Sequence, residues 1–284
     1  MILLIENNID CHYEIIETII IKYNKILNQN IALSNVTIYL SIASNNNFKE
    51  YIHSKYPQVL FSIPKEFDYY ISATIYDNNY DKLYKNSNKY FYISHEVTAR
   101  LSNLSNVYFL TPLGNNYIFA DKLPFIENKI KSNIPIYIIQ GNITNRRRYY
   151  KLLEKILQQT YEHDFIIKLV GRGGLPQELI KYSSKIQLRN NLNFIGYHKE
   201  FLDAYCILPL ITKKSHPQYY NNKLTSTINY CIGYNLKCLI DKDLQDIYNL
   251  KDVEIFYNEN DIVDAFKKSL TDFYANLNIL SNGK

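Results

Sequence analysis

A glycine-rich turn follows a stretch that predicts a buried strand. The apolar residues Phe165–Val170 predict the strand, Gly171, Arg172 and Gly173 come directly after it, and a helix is predicted over Gln177–Lys185. Glycine allows close approach of a ligand, and the free amides at a helix start favour an anion. The spacing lacks the full GxGxxG pattern, so a dinucleotide site is not indicated. A phosphate-binding turn and an ordinary tight turn both remain open.

Two more strand–loop–helix units carry groups of the same kind. Strand Ile136–Gln140 leads into Gly141 and Asn142, and then into Arg146 and Arg147 of an arginine run. Arginine binds phosphate through paired hydrogen bonds, and the alternative is a solvated helix start. Because cations oppose the helix dipole at that end, an anionic partner is favoured for at least one of these arginines. The third unit combines Lys223 with hydroxyl residues and one amide at a predicted helix start: Thr225, Ser226, Thr227 and Asn229. Hydroxyls here suit either a phosphate site or simple helix capping.

A histidine and a carboxylate stand at the end of another predicted strand. The apolar segment Tyr90–Ser94 is followed by His95 and Glu96. Parallel strands bring their carboxyl ends to one edge of a sheet, where ligands usually bind. His95 and Glu96 are therefore candidates for a general base or for groups that orient a sugar. A histidine bonded to nearby backbone is the structural alternative.

Composition excludes several classes of protein. Of 284 residues, 46% are hydrophobic and 21% are charged, which is typical of a folded globular protein. The net charge of +5 is too small and too dispersed for a dedicated nucleic-acid binder. The four cysteines form no CxxC pair, and the first apolar run is too short for a signal peptide or a membrane span. We expect free thiols, no transmembrane segment and a cytoplasmic protein.

The order of predicted elements indicates two similar halves. Buried strand-like runs alternate with amphipathic helices such as the one containing Ile15, Ile19 and Tyr23, which is typical of doubly wound parallel sheets. The pattern restarts after Pro135. We therefore predict an N-terminal Rossmann-like domain over 1–131 and a C-terminal one over 132–284. Further strands are predicted at Asn193–Ile195, Ile207–Leu210 and Lys237–Ile240.

The second half resembles the nucleotide-sugar domain of group 1 glycosyltransferases, which have the GT-B fold. The likeness covers about Ile134 to Tyr274, and its segments follow the order of that family: Tyr137–Gly141, Ile166–Gly174, Leu192–Tyr197, Ala204–Leu210 and Lys223–Ile240. The resemblance implies two Rossmann-like domains that face a cleft, an acceptor domain first and a donor domain second. It also implies a metal-independent transferase that moves a sugar from a nucleotide-diphosphate sugar to a glycan, lipid or protein-linked acceptor, with no other cofactor.

One departure from the family keeps an alternative open. The corresponding helix of the family commonly holds a ribose-binding Glu, whereas this chain has no carboxylate there and Asn229 is the candidate for that contact. A catalytically inactive GT-B relative that binds nucleotide or carbohydrate is therefore the alternative function. A metal-dependent GT-A transferase is not favoured, because its Asp-x-Asp tripeptide corresponds only to Asp241–Asp243, after a late strand, where it more simply starts a helix.

Overall fold

The structure is a computed structural model that describes residues 1–7, 9, 12–42, 46–118, 129–250, 255–257 and 260–282. Within these residues the chain divides into two compact units. The first comprises Met1–Leu123 with Asn221–Leu224, and the second comprises Pro124–Tyr220 with Thr225–Lys284. The last strand of the first unit ends at Phe109 and the first strand of the second begins at Ile136, so the predicted division at 131/132 lies between the two sheets.

The first unit is built on a six-stranded parallel sheet. Its strands are β1 (Ile2–Asn7), β2 (Thr37–Ile42), β3 (Val59–Leu60), β4 (Tyr69–Ile75), β5 (Tyr90–Ser94) and β6 (Val107–Phe109). Their order in the sheet is β3-β2-β1-β4-β5-β6, and every neighbouring pair is parallel. Its helices are α1 (Tyr13–Leu27), α2 (Asn46–Lys55), α3 (Tyr80–Leu83) and α4 (Ala99–Ser102). The buried face of α1 carries the periodic isoleucines that predicted it.

The second unit repeats this plan. Its strands are β7 (Ile136–Asn142), β8 (Ile166–Arg172), β9 (Ile186–Asn190), β10 (Cys206–Ile207), β11 (Lys237–Asp241) and β12 (Ile255–Tyr257), in the order β12-β11-β10-β7-β8-β9. Its helices are α5 (Tyr150–Thr160), α6 (Phe194–Lys199), α7 (Gln218–Asn221), α8 (Ser226–Gly233), α9 (Lys242–Tyr248) and α10 (Ile262–Asn282). All strand pairs are parallel.

The core of the second unit forms where α5 and α10 pack near the sheet. Tyr137 on β7 contacts Phe266 on α10 with ring centroids 4.4 Å apart, and Phe165 contacts the same ring at 5.2 Å. The apolar face of α5, with Leu153 and Ile156, is fully buried in this cluster. Such burial stabilises the fold by ~25 cal/mol per Å² of apolar surface removed from water. It thereby holds in place the strands whose ends carry the candidate site.

Three predicted elements of the second unit differ in the structure. Asn193–Ile195 is not a strand, because Asn193 caps helix α6 by accepting a hydrogen bond from the Gly196 amide at 2.8 Å. The strand of this region is β9, which the sequence did not indicate. The predicted helix Gln177–Lys185 is a 3₁₀-helix with a kink at Tyr182. The strand predicted at Ile207–Leu210 is shorter and ends at Ile207.

Candidate functional site

The topological switch point of the second sheet lies between β7 and β10. From these two neighbours the chain continues in opposite directions, through β8 and β9 on one side and through β11 and β12 on the other. Open parallel sheets bind ligands beyond the carboxyl ends of the strands at this point. Gln140, Gly141 and Asn142 end β7 here. The backbone amide of Tyr149 donates to the carbonyl of Leu210 beyond β10 at 2.7 Å, which holds the two loops together.

Arg148 is the cation that turns into this point. Only 5% of the residue is exposed. Its Nη2 donates to the Gln140 carbonyl at 2.5 Å and to Thr227 Oγ1 at 3.2 Å, and its Nη1 donates to the Arg147 carbonyl at 2.7 Å. Nε is buried without a partner. Within the described part of the chain, no carboxylate forms an ion pair with this guanidinium.

The start of helix α8 faces the same group. Gln140 Nε2 donates to Thr227 Oγ1 at 3.0 Å and to Ser226 Oγ at 3.2 Å, while Tyr197 donates to Gln140 Oε1 at 2.8 Å. Thr225 is the N-cap residue, but its side chain accepts no hydrogen bond from the first turn. The amides of a first helical turn have no partner within the regular helix, and of these the Ile228 amide donates to the Thr225 carbonyl at 3.1 Å. This end of α8 therefore presents the amides of Ser226 and Thr227 and the positive end of the helix dipole.

The cluster of Arg148 and the start of α8 is positively charged and contains no acidic side chain paired with Arg148. Burial lowers the pKa of Arg148 from its usual value. His216, beyond β10, is 2% exposed, and burial together with the charges of Arg148 and Arg147 lowers the pKa of its imidazole. A buried charge is normally paired or neutralised, since desolvation without a partner is expensive. An anion could therefore bind Arg148 without first breaking an ion pair of this guanidinium.

The predicted donor residues of the first two loops are placed at this strand edge, but in unequal positions. Asn142 and Arg172 are neighbours in the β7–β8 pairing, and both are exposed. Arg146 and Arg147 are exposed as well, whereas Arg148 turns inward. Sequence reasoning therefore missed the one arginine with a buried position. The available signal was its place directly before the apolar stripe of α5.

The glycines of the predicted phosphate loop have a structural reason in the strand pairing. A Cβ at Gly171 would lie 1.7 Å from the Gly141 carbonyl oxygen, and one at Gly173 would lie 2.7 Å from the Ile143 carbonyl oxygen. Ile143 in turn donates its amide to the Arg172 carbonyl at 2.7 Å. Both glycines thus permit β8 and its exit to run tightly against the end of β7. A Cβ at Gly174 would meet no atom within 4 Å, so the strand packing does not require a glycine at this position.

The third set of predicted donor residues is divided between the two units. Thr225, Ser226 and Thr227 stand at the start of α8 as described. Asn229 is 1% exposed, and its Oδ1 is buried without a hydrogen-bond partner. Lys223 lies with the first unit, where its Nζ forms an ion pair with Glu96 Oε2 at 3.1 Å. Lys223, which was predicted to bind the donor, and Glu96, which was predicted to be catalytic, thus form an ion pair with each other.

Backbone pairing holds Lys223 against the loop that follows β5. Val97 donates to the Asn222 carbonyl at 2.7 Å and Leu224 donates to the His95 carbonyl at 3.0 Å, on either side of an antiparallel bridge between Glu96 and Lys223. Ser94, the last residue of β5, also stabilises the loop, because its hydroxyl donates to the Glu96 carbonyl at 2.8 Å. Glu96 also accepts from the Asp77 amide at 3.2 Å. Its carboxylate is therefore already engaged by two donors.

His95 occupies a largely enclosed position at the carboxyl edge of the first sheet. Its ring lies against His12, with centroids 4.1 Å apart, and stacks with Tyr76 at 6.0 Å. Its Nε2 is buried and has no hydrogen-bond partner. Burial lowers the pKa of His95 well below its usual value, and the neighbouring His12 adds to this shift. The ring is therefore neutral at physiological pH.

Other site types find no support in the described residues. Across the ranges given above, no three His, Cys, Asp or Glu side chains are grouped so that they could hold a metal ion. Asp241 is the N-cap of α9 and accepts from the Asp243 amide at 3.0 Å, which confirms that this tripeptide starts a helix. Cys206, Cys231 and Cys238 are buried free thiols, and Cys11 lies outside the described residues. No helix in the described part of the chain is long and apolar enough to cross a membrane.

No protein-family model matches the sequence, and a search of curated proteins finds no match. Solved structures do resemble it. AviGT4, a glycosyltransferase involved in avilamycin A biosynthesis, is 7% identical with a TM-score of 0.54 over 95% of this chain and 88% of that one. A glycosyltransferase from Rickettsia africae ESF-5 is 12% identical, with a TM-score of 0.53 over 96% and 89%.

A third similar structure is an alpha-glucosyltransferase in complex with UDP and a 13-mer DNA. It is 10% identical, with a TM-score of 0.53 over 98% of this chain and 92% of that one. Identities this low establish the fold and not the activity. The chain therefore has the GT-B fold of these glycosyltransferases, with two Rossmann-like domains on parallel sheets, as its sequence predicted.

Proposed function

We propose that this protein transfers a sugar from a nucleotide-diphosphate sugar to a glycan, lipid or protein-linked acceptor. The second unit would hold the diphosphate between Arg148 and the first turn of α8. The observation that carries the proposal is the buried guanidinium of Arg148, which has no acidic partner in the described part of the chain. The fold shared with solved glycosyltransferases, one of which is in complex with UDP, gives independent support.

The chemistry of the site suits a diphosphate better than a neutral ligand. A phosphate oxygen at Arg148 Nε would supply the acceptor that this buried atom lacks. The uncapped amides of α8 would add donors directed at the same charge. Hydrogen bonds to charged groups contribute ~1.5–3 kcal/mol each, about twice the value of neutral ones. Two such interactions are enough to direct an anion to this edge rather than to the exposed arginines.

The remaining predicted donor residues have supporting roles in this proposal. Arg172 and Asn142 stand at the neighbouring strand ends, where they can reach an exposed phosphate or the attached sugar. Asn229 has an acceptor without a donor, and a ribose hydroxyl is a donor of the required kind. Lys223 would contribute only if its ion pair with Glu96 opened. Metal independence and a cytoplasmic location remain part of the proposal.

The test is to measure nucleoside diphosphate binding by calorimetry for the parent, Arg148→Gln and the exposed neighbour variant Arg147→Gln. A first thermal-shift screen of uridine, guanosine and adenosine diphosphates and their sugars would select the ligand, since 100 times Kd adds about 2.7 kcal/mol of stability. Loss of one charged contact worth ~1.5–3 kcal/mol should weaken Arg148→Gln by about 10- to 150-fold. Arg147→Gln should bind as the parent does.

Two results would count against the proposal. If Arg148→Gln binds the diphosphate as tightly as the parent, the site has been assigned to the wrong residues. If the parent binds no nucleoside diphosphate, the function is wrong. Binding without any release of diphosphate from the matching nucleotide sugar would favour the inactive relative, which the missing carboxylate of α8 keeps as the alternative.

A further inference from the structure

Three buried side-chain polar atoms of the second unit have no hydrogen-bond partner among the described residues. They are Arg148 Nε, Asn229 Oδ1 and the hydroxyl oxygen of Tyr150. The proposed function uses the first two of these atoms and gives no role to the third. Tyr150 is the first residue of α5, stands two positions after Arg148 and is only 1% exposed. Its ring belongs to the core cluster of the unit, so packing holds the ring while the hydroxyl forms no bond.

The phenol of Tyr150 and the guanidinium of Arg148 lie close enough to affect each other. Burial raises the pKa of Tyr150 to about 12, the positive charge of Arg148 opposes this rise, and the carboxylate of Glu178 adds to it. Such charge interactions weaken with distance, so the three groups are neighbours. The phenol stays protonated at physiological pH and can donate a hydrogen bond. The loop before it is held in place, because the Tyr149 amide donates to the Leu210 carbonyl at 2.7 Å.

An unpartnered hydroxyl at this depth is uncommon and lowers stability. Most buried polar side chains of folded proteins have a hydrogen-bond partner, and a buried donor without one keeps its cost of desolvation. A phenylalanine would fill the same space without that cost. Neither Arg148 nor Glu178 forms a hydrogen bond with the Tyr150 hydroxyl. Two buried donors, Arg148 Nε–H and Tyr150 O–H, therefore lie near each other, and acceptor oxygens of one ligand group would satisfy both.

We propose that Tyr150 is a specificity residue of the diphosphate site, and that its hydroxyl donates to the phosphate group bound at Arg148 Nε. This inference rests on the proposed function. A phosphate group presents several acceptor oxygens, so it can accept from the guanidinium and the phenol at the same time. A single hydroxyl or carbonyl of a neutral ligand offers fewer acceptors. The phenol favours phosphate in this way without adding a second buried charge to the ligand-free protein.

The decisive variant is Tyr150→Phe, because it removes one oxygen atom and keeps the ring that packs in the core. Its calorimetric Kd for the nucleoside diphosphate selected by the thermal-shift screen should rise about 10- to 150-fold, as expected for the loss of a hydrogen bond to a charged group. The matching nucleoside, which has no phosphate, should bind the variant and the parent equally. The unfolding temperature of the ligand-free variant should equal or exceed that of the parent, since the lost hydroxyl has no partner.

Tyr137→Phe is the matched control. Tyr137 is a fully buried tyrosine of the same core cluster, but its hydroxyl is hydrogen-bonded to Ser269 Oγ at 2.5 Å. Loss of this bond should lower the unfolding temperature and leave the diphosphate Kd unchanged, the reverse of the pattern expected for Tyr150→Phe. A double variant with Arg148→Gln tests the shared phosphate. If both side chains bind one phosphate group, the double variant should lose less affinity than the product of the two single losses.

The outcomes separate this inference from the function on which it rests. If Tyr150→Phe binds the diphosphate as tightly as the parent while Arg148→Gln binds it weakly, the role of Tyr150 is overturned and the diphosphate site stands. Equal weakening for nucleoside and diphosphate, or independent losses in the double variant, would overturn it too. A lowered unfolding temperature with unchanged affinity would assign the hydroxyl to a buried water or to Glu178. If the parent binds no nucleoside diphosphate, both proposals fall, and titration of the parent alone reveals that case.

Discussion

Substitution of Gly171 by alanine tests whether the glycine-rich turn exists for strand packing or for ligand approach. Gly171 and Gly141 are partners in the β7–β8 ladder, and an alanine Cβ at position 171 would lie 1.7 Å from the Gly141 carbonyl oxygen. An ordinary contact is about twice as long. The atom it meets belongs to the backbone, so no side-chain rotation can relieve the overlap. The end of β8 must move away from β7.

The magnitude follows from what that movement disrupts. Forcing an extra methyl group into a packed position costs ~1–3 kcal/mol. Displacement of the strand end also breaks the bond from the Ile143 amide to the Arg172 carbonyl, 2.7 Å long, for about 1 kcal/mol more. We expect a loss of roughly 2–4 kcal/mol for the second unit. At ~2–4 °C per kcal/mol for a domain of this size, the unfolding temperature should fall by roughly 4–16 °C.

Two neighbouring glycines provide the calibration. Gly173→Ala brings its Cβ to 2.7 Å from the Ile143 carbonyl oxygen at a φ of 130°, so it should also be destabilising. A Cβ at Gly174 meets nothing within 4 Å, and Gly174→Ala should be neutral or stabilise by up to ~1 kcal/mol through the unfolded chain. The assay is thermal unfolding of the three variants and the parent, followed by calorimetry with nucleoside diphosphate.

The reasoning would be refuted if Gly171→Ala unfolded at the temperature of the parent. A ligand-cradle interpretation would instead require Gly174→Ala to keep its stability and lose diphosphate affinity. Unchanged affinity in Gly174→Ala, with lowered stability in Gly171→Ala, assigns the glycines to the packing of β8 against β7 and leaves anion binding to Arg148 and α8.

Two further predictions concern buried charge in the second unit. Lys168→Met should destabilise by ~1–3 kcal/mol in chemical unfolding, because buried Lys168 lies 2.8 Å from Asp203 and 2.9 Å from Glu200. Its loss leaves the partly exposed Asp203 carboxylate without this cation, while Glu200 keeps its ion pair with Arg189 at 3.6 Å. An unchanged midpoint of unfolding would contradict this. The pKa of His216 is lowered in the folded protein, so below about pH 6.5 the unfolded chain binds a proton that the folded protein does not. The free energy of unfolding therefore falls as the pH drops through that value, by at most ~1.4 kcal/mol per pH unit. His216→Gln should lose less stability than the parent between pH 7 and 5.5, and an equal loss would show that another group is responsible.

The sequence predicted the sheets well because their strands are buried on both faces. Runs such as Tyr69–Ile75 and Ile136–Gln140 contain few polar residues, which distinguishes strands of a covered parallel sheet from those at a surface. The edge strand β9 lacks this signal, since no residue of Ile186–Asn190 is buried. The neighbouring apolar run at Phe194 predicts a strand instead. One capping contact from Asn193 decides in favour of a helix there.

The candidate site was less predictable because side-chain direction depends on local turns. Three consecutive arginines are equivalent by residue type, and only the turn in which Arg147 and Arg148 both donate to the Thr144 carbonyl places Arg148 inward. The position of Lys223 depends on a partner far away in the sequence. No spacing rule connects it to Glu96, and the pairing arises from backbone bonds at Asn222 and Leu224. The contact of His12 with His95 is equally non-local.

The contrast between Arg148 and Lys223 determines where an anion binds first. Lys223 already has the carboxylate of Glu96, so a phosphate there must displace a partner of equal charge and gains little. Arg148 is buried with only neutral acceptors around it, and its desolvation has already been offset by folding. A phosphate at Arg148 adds attraction without breaking an ion pair. The resting charges of the chain therefore favour the switch point of the second sheet over the loop after β5, although the sequence predicted Lys223 and the arginine run for one and the same diphosphate site.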